Sequence, residues 1–226
     1  MTMHPLDRPI WHALNGRLRK FSTGNDRARR MIPEAGFFAA IEDDSEENLQ
    51  ALGQLIKASG PVILLQAAGV PLPAGTTTRM QFEGVQMVAR SITPLEPAHP
   101  IAKLAAGDAP EMLALATLTE PGPFFSRTHE LGNFWGIRHE GRLVAMAGER
   151  MQLEGFTEVS GVCTHPDHRG KGYAGLLSRL VATQIQQRSE TPFLHATSTN
   201  TSAIALYQKL GFEKRLDVNI CVLESA

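Results

Sequence analysis

A run of basic and glycine residues in the second half of the chain has the composition of an anion-binding turn. Arg169, Gly170, Lys171 and Gly172 follow a stretch rich in β-branched residues, and from Tyr173 apolar residues recur at helical spacing. A glycine-rich turn that opens a helix directly after a strand presents unpartnered backbone N–H groups, which an anion can approach closely. The two cations add positive charge. The pattern predicts a phosphate or pyrophosphate site, with a plain turn and solvated basic residues as the alternative.

Two known phosphate loops match this turn poorly. Gly170, Gly172 and Gly175 spell G-x-G-x-x-G, which would indicate a nicotinamide-dependent oxidoreductase. That pattern calls for an acidic residue at the end of the next strand, but the strand-like run 193–197 is followed by Ser-Thr-Asn. A nucleotide P-loop needs Gly-Lys-Ser/Thr, whereas Lys171 is followed by glycine. The dinucleotide pattern is therefore a weak match, and the P-loop is a weaker one.

A third pattern fits better. Arg169-x-x-Gly172-x-Ala174 resembles the coenzyme A pyrophosphate loop of the GNAT superfamily of N-acetyltransferases, whose pattern is Arg/Gln-x-x-Gly-x-Gly/Ala. The strand that leads into the loop is also similar. Residues 200–212 resemble the second diagnostic segment, Asn-x-x-Ala-x-x-Leu-Tyr-x-Lys-x-Gly-Phe. With two motifs in the right order and at the right separation, roughly the last three-fifths of the chain is identified as similar to the FR47-like branch.

The resemblance implies acetyl coenzyme A as the co-substrate. In this superfamily the strand before the loop splays from its neighbour and binds the pantetheine arm and the thioester oxygen through free backbone N–H groups. Cys163 is therefore expected to act through its main chain and not as a nucleophile. Asn200 also suits a helix N-cap. The residues expected to hold the coenzyme are Val162, Cys163, Thr164, Arg169, Gly170, Lys171, Gly172, Tyr173, Ala174, Asn200 and Ser202.

The resemblance also places two proton-transfer residues. Tyr207 is the expected general acid for the leaving thiolate, since a phenol with a pKa of about 10 stays protonated at neutral pH. Ordinary packing on the helix would explain the same residue. Glu158, near the start of the splayed strand, is the first choice for the base that deprotonates the amine, and Glu149 and His129 are the alternatives.

The acceptor is expected to be a primary amine of a small molecule, an amino acid or a peptide. Its nitrogen would attack the thioester carbonyl directly, through a tetrahedral intermediate. A non-catalytic acyl-coenzyme A sensor is the alternative function. The acceptor pocket is expected to include Phe124, Phe125, Arg127, His129 and Glu130, whose aromatic and mixed-charge character suits many amines.

The composition and short sequence patterns argue against several other kinds of protein. The 226 residues carry a formal net charge of −1, which argues against a nucleic-acid partner. No apolar run approaches the roughly 18 residues of a membrane helix, and the first twenty residues lack the apolar core of a signal peptide. Two cysteines in strand-like runs suggest reduced thiols in a cytoplasmic protein. His165 and His168 are not accompanied by further residues at the spacing of a metal-ligand set, so no metal site is expected.

Two domains are predicted. Residues 84–226 should form an α/β (α+β) GNAT fold, a mixed and mainly antiparallel sheet with splayed central strands and helices on both faces. Its predicted elements are a strand over 85–92, a helix after Asp108, a hairpin of 134–138 and 143–147, a strand over 157–164, a helix from Tyr173, a strand over 193–197, a helix over 202–210 and two closing strands.

Residues 1–83 are predicted to form a small N-terminal α/β domain of unknown role. Its basic run, 27–30, is expected to be a solvated surface. The resemblance suggests a degenerate half-copy of the GNAT fold, whereas a simple cap or half of a homodimer interface would leave the same sequence. The predicted elements are a helix over 9–18, a strand over 37–41, a helix between Ser45 and Gly60, a strand over 62–65 and a linker over 69–75.

Overall fold

A computed structural model of the protein describes residues 4–92 and 99–226. Five α-helices and eleven strands lie within these residues. The helices are α1 (Pro9–Asn15), α2 (Glu46–Ser59), α3 (Ala109–Thr119), α4 (Tyr173–Gln187) and α5 (Thr201–Leu210). The strands are β1 (Ser22–Gly24), β2 (Ala28–Met31), β3 (Ala39–Ile41), β4 (Val62–Gln66), β5 (Thr76–Val88), β6 (Ala102–Leu104), β7 (Phe134–His139), β8 (Arg142–Leu153), β9 (Phe156–Thr164), β10 (Thr191–Thr197) and β11 (Glu213–Ser225).

Eight strands form the main sheet, in the order β4-β11-β5-β10-β9-β8-β7-β6. Neighbouring strands are antiparallel, except that β9 and β10 are parallel because α4 crosses over between them. The predicted closing strands are one strand, β11, with an irregularity at Arg215 and another after Val222. The mixed, mainly antiparallel sheet is therefore confirmed.

Helices cover both faces of this sheet. On one face, the apolar stripe of α4 at Leu177, Val181 and Ile185 packs on Val159 and Leu194 of the two parallel strands. The other face packs under α1 in a separate apolar cluster. Each large apolar side chain buried in this way contributes about 1.5–3 kcal/mol. Among the described residues, no helix is long and apolar enough to cross a membrane.

The parallel strands separate towards the end that leads into the glycine-rich turn. Their pairing runs from Thr191–Phe156 to Phe193–Glu158 and ends there, although both strands continue. A register shift on the other side of β9 accompanies this separation, between the pairs Gly148–Ser160 and Met146–Cys163. Gly161 lies inside the shift with φ +62°, a left-handed conformation that glycine adopts without strain. The splayed strands of the predicted fold are therefore present.

The N-terminal part adds strands to the same sheet. Strand β4 pairs along β11 at one edge, and β5 pairs along β11 from Thr76–Ser225 to Val88–Glu213. The division predicted between residues 83 and 84 thus falls inside the continuous strand β5. Strands β1, β2 and β3 form a separate three-stranded sheet. Helix α1 ends at Asn15, three residues before the predicted end, and Gly16 follows it.

Most of the basic run 27–30 is not the solvated surface that the sequence predicts. Arg29 and Arg30 are only 5% and 4% exposed, because β2 is the central strand of the small sheet. The Arg29 side chain donates to Asn15, with Nε 2.8 Å from Oδ1, and Arg30 donates to the carbonyl of Ser59. The prediction of a solvated surface was therefore wrong for these two residues, whose guanidinium groups tie secondary structures together.

Candidate active site

The turn between β9 and α4 is open on its glycine side. Gly170 and Gly172 have φ +76° and +79°, and Gly172 is the N-cap residue of α4. A Cβ added at either position would meet no described atom within 4 Å. The amide of Leu176 donates to the carbonyl of Gly172, so the amides before Leu176 precede the intrahelical ladder. This geometry suits a phosphate group.

A pocket of about 840 Å³ runs from this turn into the opening between the splayed strands. It brings together all eleven residues predicted to hold the coenzyme, together with Tyr207. Its walls are the ends of β9 and β10, the turn, one side of α5 from Ser202 to Tyr207, and residues 119–122 at the end of α3 and just after it. A concavity of similar volume, about 860 Å³, lies between α2 and residues 72–75 and contains none of the predicted site residues.

Tyr207 lies on the pocket wall contributed by α5. Burial raises the pKa of its phenol to about 12, so the hydroxyl stays protonated across the physiological range. Its ring contacts Phe212 edge to face, with centroids 6.0 Å apart. Tyr207 is thus partly buried by its neighbours and also lines the pocket, so it is placed to donate a proton there.

Asn200 is the N-cap of α5. Its Oδ1 accepts hydrogen bonds from the Ala203 amide at 3.2 Å and the Ser202 hydroxyl at 3.1 Å. The N-cap role considered from the sequence is therefore present. Asn200 and Ser202 both line the pocket, so capping fixes their side chains at its rim.

Glu158 occupies a different environment from the one expected of a general base. Its carboxylate is 1% exposed and pairs with the Arg150 guanidinium through two contacts of 2.8 Å. His195 Nδ1 lies 2.8 Å from Glu158 Oε1. Burial opposes ionisation, but Arg150 and His195 outweigh it and lower the Glu158 pKa to about 2. The geometry therefore argues against Glu158 as the base, because it binds a proton only far below neutral pH.

Glu158 belongs to a polar row that crosses the sheet. Consecutive members form hydrogen bonds, and each comes from the next strand: Arg215 of β11, Gln86 of β5, His195 of β10, Glu158 of β9 and Arg150 of β8. Arg215 donates to Gln86 Oε1, so the Gln86 amide group must donate to His195 Nε2. His195 therefore carries its proton on Nδ1 and donates it to Glu158.

The N-terminal segment covers this row. The Leu6 carbonyl accepts from Gln86 Nε2 at 2.8 Å, and Asp7 pairs with Arg215 at 2.6 Å. The Arg150 guanidinium lies over the Phe38 ring, 4.7 Å from its centroid. Residues far from the glycine-rich turn in sequence thus cover most of the polar row, and the Arg215 side chain at its end stays 22% exposed.

The two alternative bases do not line the pocket. Glu149 is buried, with Oε1 2.8 Å from Arg188, and its other oxygen accepts from the amide and side chain of Asn133. His129 has a buried Nδ1 without a hydrogen-bond partner in the described part of the chain. Neither residue is placed to reach the opening between β9 and β10.

Cys163 lies on β9, but its side chain packs into an apolar cluster and not into the pocket. Its side chain is buried in the apolar cluster under α3, with Met146 and Phe134. Burial raises the pKa of the thiol to about 11, so almost no thiolate exists at neutral pH. This environment agrees with a main-chain contribution from Cys163 and opposes a nucleophilic one.

A small cavity of about 10 Å³ adjoins the pocket, and both are lined by Pro121 and Gly122. That volume holds roughly one water-sized group. Of the five residues predicted for the acceptor pocket, all of them described, Phe124 alone lines it. Residues not predicted complete the lining: Pro123, Thr128, Phe134, Arg150, Ser160 and Gly161. The glycine within a strand-like run was the available signal for Gly161.

The other predicted acceptor residues are engaged elsewhere. Phe125 packs edge to face on Phe37, with centroids 5.4 Å apart. Arg127 forms a bidentate pair with Glu130 at 2.8 Å. The described residues contain no group of three or more His, Cys, Asp or Glu side chains placed to hold a metal ion.

Comparison with known proteins agrees with this geometry. The family model for FR47-like proteins matches residues 134–222. A crystal structure from Novosphingobium aromaticivorans DSM 12444, assigned to the GNAT acetyltransferases, shares 38% identity over 99% of this chain and 100% of its own, with a TM-score of 0.92. The chain belongs to the GNAT acetyltransferase family. The match to the FR47-like model agrees with the predicted branch.

A more distant GNAT structure supports the fold alone. The N-acetyltransferase from Kribbella flavida shares 19% identity, with a TM-score of 0.69 over 99% of this chain and 96% of its own. No curated protein gives a significant sequence match. Membership of the GNAT family supports acyl transfer as the reaction class.

Proposed function

We propose that the protein transfers an acetyl group from acetyl coenzyme A to a primary amine. The proposal rests on the opening between β9 and β10. This opening leads to the glycine-rich turn at one end, and Tyr207 lies on its wall. Arg169, Lys171 and the first amides of α4 would hold the pyrophosphate. The unpaired edge of β9 beyond Glu158 would hold the pantetheine arm and the thioester.

The main chain of β9 supplies the electrostatic part of this mechanism. As the amine attacks, negative charge develops on the thioester oxygen, and backbone N–H groups fixed in a strand stabilise it without rearranging. Val162, Cys163 and Thr164 line the pocket where this charge would form. Beyond the irregularity at Gly161, β9 pairs with β8 again at Cys163–Met146, and its other edge borders the opening.

Tyr207 then protonates the leaving thiolate. Its phenol lies on the pocket wall, and its pKa of about 12 keeps the proton available at any physiological pH. The products are the acetylated amine and free coenzyme A. The amine proton leaves for solvent, and Tyr207 regains its proton from solvent.

We infer that the acceptor loses its proton before attack and without a strong protein base. The small cavity next to Gly161 has the size of an amine nitrogen and is lined by Phe124, Phe134 and Arg150. Loss of solvation among the aromatic rings and a nearby guanidinium both favour an uncharged amine. Glu158 supports this arrangement by holding Arg150 in place.

Coenzyme binding is tested by thermal unfolding in the presence of coenzyme A or NAD. A specific ligand at about 100 times its dissociation constant stabilises a protein by about 2.7 kcal/mol. We expect coenzyme A to raise the melting temperature and NAD to leave it unchanged. Stabilisation by NAD alone would assign the turn to the dinucleotide pattern and contradict the proposal.

A further inference from the structure

Three imidazole rings meet beside the glycine-rich turn. The His168 ring centroid lies 4.9 Å from that of His139 and 5.8 Å from that of His165. Lys171 Nζ lies 3.3 Å from His168 Nδ1. His139 ends β7, so the β7–β8 hairpin brings it to residues that follow β9. We call these four residues the histidine rim.

The rim shares a wall with the coenzyme pocket. His168 and Lys171 both line the pocket of about 840 Å³, next to Gly170 and Gly172. His139 and His165 stand behind His168, away from the pocket. A ligand group that extends beyond the turn can therefore reach an imidazole and an ammonium group at once.

The charge state of the rim depends on its neighbours. Loss of solvation, Lys171, His139 and His165 together lower the pKa of His168, while Asp167 acts in the opposite direction. Two carboxylates lie at the outer side: Glu140 is 4.0 Å from His139 Nε2, and Asp167 is 3.8 Å from His165 Nδ1. His168 is thus protonated less readily than a free imidazole.

We propose that the histidine rim binds the 3′-phosphate of coenzyme A and takes up a proton when it does so. This inference rests on the proposed function. Coenzyme A carries two kinds of phosphate: a pyrophosphate, which suits the amides of the turn, and a ribose 3′-monoester. The monoester has a second pKa of about 6, so its dianion is abundant where an imidazole can still be charged.

The proton balance sets the direction of the pH dependence. Binding of the dianion favours the imidazolium form of His168, which then donates an N–H to a phosphate oxygen while Lys171 donates another. The proton comes from solvent. Affinity for coenzyme A should therefore fall as the pH rises from about 6.5 to about 8, because the free imidazole must then be protonated at increasing cost.

The experiment is titration calorimetry of the full-length protein with coenzyme A and with 3′-dephospho-coenzyme A, at about pH 6.5 and about pH 8. For the unaltered protein, we expect coenzyme A affinity to fall about tenfold between the two pH values, and dephospho-coenzyme A affinity to change less than about twofold. Buffers of different ionisation enthalpy should show proton uptake for coenzyme A alone.

A variant pair assigns the effect to the rim. His168→Gln should weaken coenzyme A about tenfold at pH 6.5 and leave dephospho-coenzyme A unchanged. His12→Gln, the same change on α1, should alter neither ligand. Equal weakening of both ligands by His168→Gln would place His168 on the pyrophosphate and overturn the inference. Equal affinities of both ligands for the unaltered protein would overturn it too, whereas failure of both to bind would overturn the proposed function.

Discussion

His195 donates a hydrogen bond to Glu158, with Nδ1 2.8 Å from Oε1. Glu158 belongs to the last backbone pair between β9 and β10, Phe193–Glu158, and His195 lies two residues beyond that pair on β10. Side chains therefore hold the two strands together where their backbones begin to separate. The pair is 4% and 1% exposed, so water does not compete for it. This pair therefore fixes the position at which β9 and β10 begin to separate.

Glu158→Gln should destabilise the fold. The variant leaves the buried Arg150 guanidinium without its counter-charge, and such a change costs about 3 kcal/mol. Chemical denaturation at pH 7 measures the difference in unfolding free energy. Glu154→Gln, in the exposed turn between β8 and β9, is the control and should be neutral.

The same variant should change the acid stability. The Glu158 pKa falls from 4.5 to about 2 on folding, so its stabilisation is complete above about pH 4.5 and is lost as the pH falls towards 2. Between about pH 5 and about pH 3, the unaltered protein should therefore lose more stability than Glu158→Gln. Parallel losses in the two proteins would show that the carboxylate is not held in this ion pair.

Gly172→Ala should weaken coenzyme A binding more than it weakens the fold. A methyl group there would occupy the open space above the amides of the turn. Gly141→Ala is a matched control, since both glycines have φ +79° and neither has an atom within 4 Å of the added Cβ. Each change should cost about 1 kcal/mol of stability through left-handed strain. Calorimetry should show that only Gly172→Ala raises the dissociation constant of coenzyme A. Equal effects of the two substitutions on binding would contradict a coenzyme site at this turn.

Cys163→Ala should retain most of the transfer rate, within about threefold. Its thiol has a pKa of about 11, and its proposed contribution is through the main chain, which the substitution keeps. Intact-protein mass spectrometry after mixing with acetyl coenzyme A should show no acetylated enzyme. A stable adduct lost in the variant would indicate covalent catalysis instead.

The pH dependence of transfer should follow the acceptor. Without a strong protein base, the rate at limiting acceptor should rise about tenfold per pH unit up to the amine's own pKa. Two acceptors with different amine pKa values should therefore reach their plateaus at different pH values. A plateau at one pH for both acceptors would reveal a titrating group of the protein that acts as the base.

Local patterns predicted the elements that are local in the chain. The glycine-rich turn, helix α4 and the Asn200 cap depend on neighbouring residues, and the structure places them as expected. The environment of Glu158 depends on Arg150 and His195, which are 8 and 37 residues away. No spacing rule joins those three residues, because sheet order alone brings them together, and so the ion pair was missed.

The full length of strand β5 also could not be predicted from the sequence pattern. The N-terminal half of β5 is mostly exposed and polar, so only its buried end, near Val85 and Met87, was recognised as a strand. Arg29 and Arg30 look like a charged surface in sequence, but their guanidinium groups donate to the Asn15 side chain on α1 and the Ser59 carbonyl on α2. Both cases arise because long-range pairing overrides the local composition.

The most direct test of the proposed acetyl transfer is release of coenzyme A thiol from acetyl coenzyme A, measured across a panel of amines, amino acids and short peptides. One acceptor class should support turnover, and Tyr207→Phe should lower that turnover by about 100-fold while the dissociation constant of coenzyme A and the melting temperature stay unchanged. Tight binding of acetyl coenzyme A with no thiol release from any acceptor would contradict the proposed transfer reaction and favour a sensor of acyl-coenzyme A.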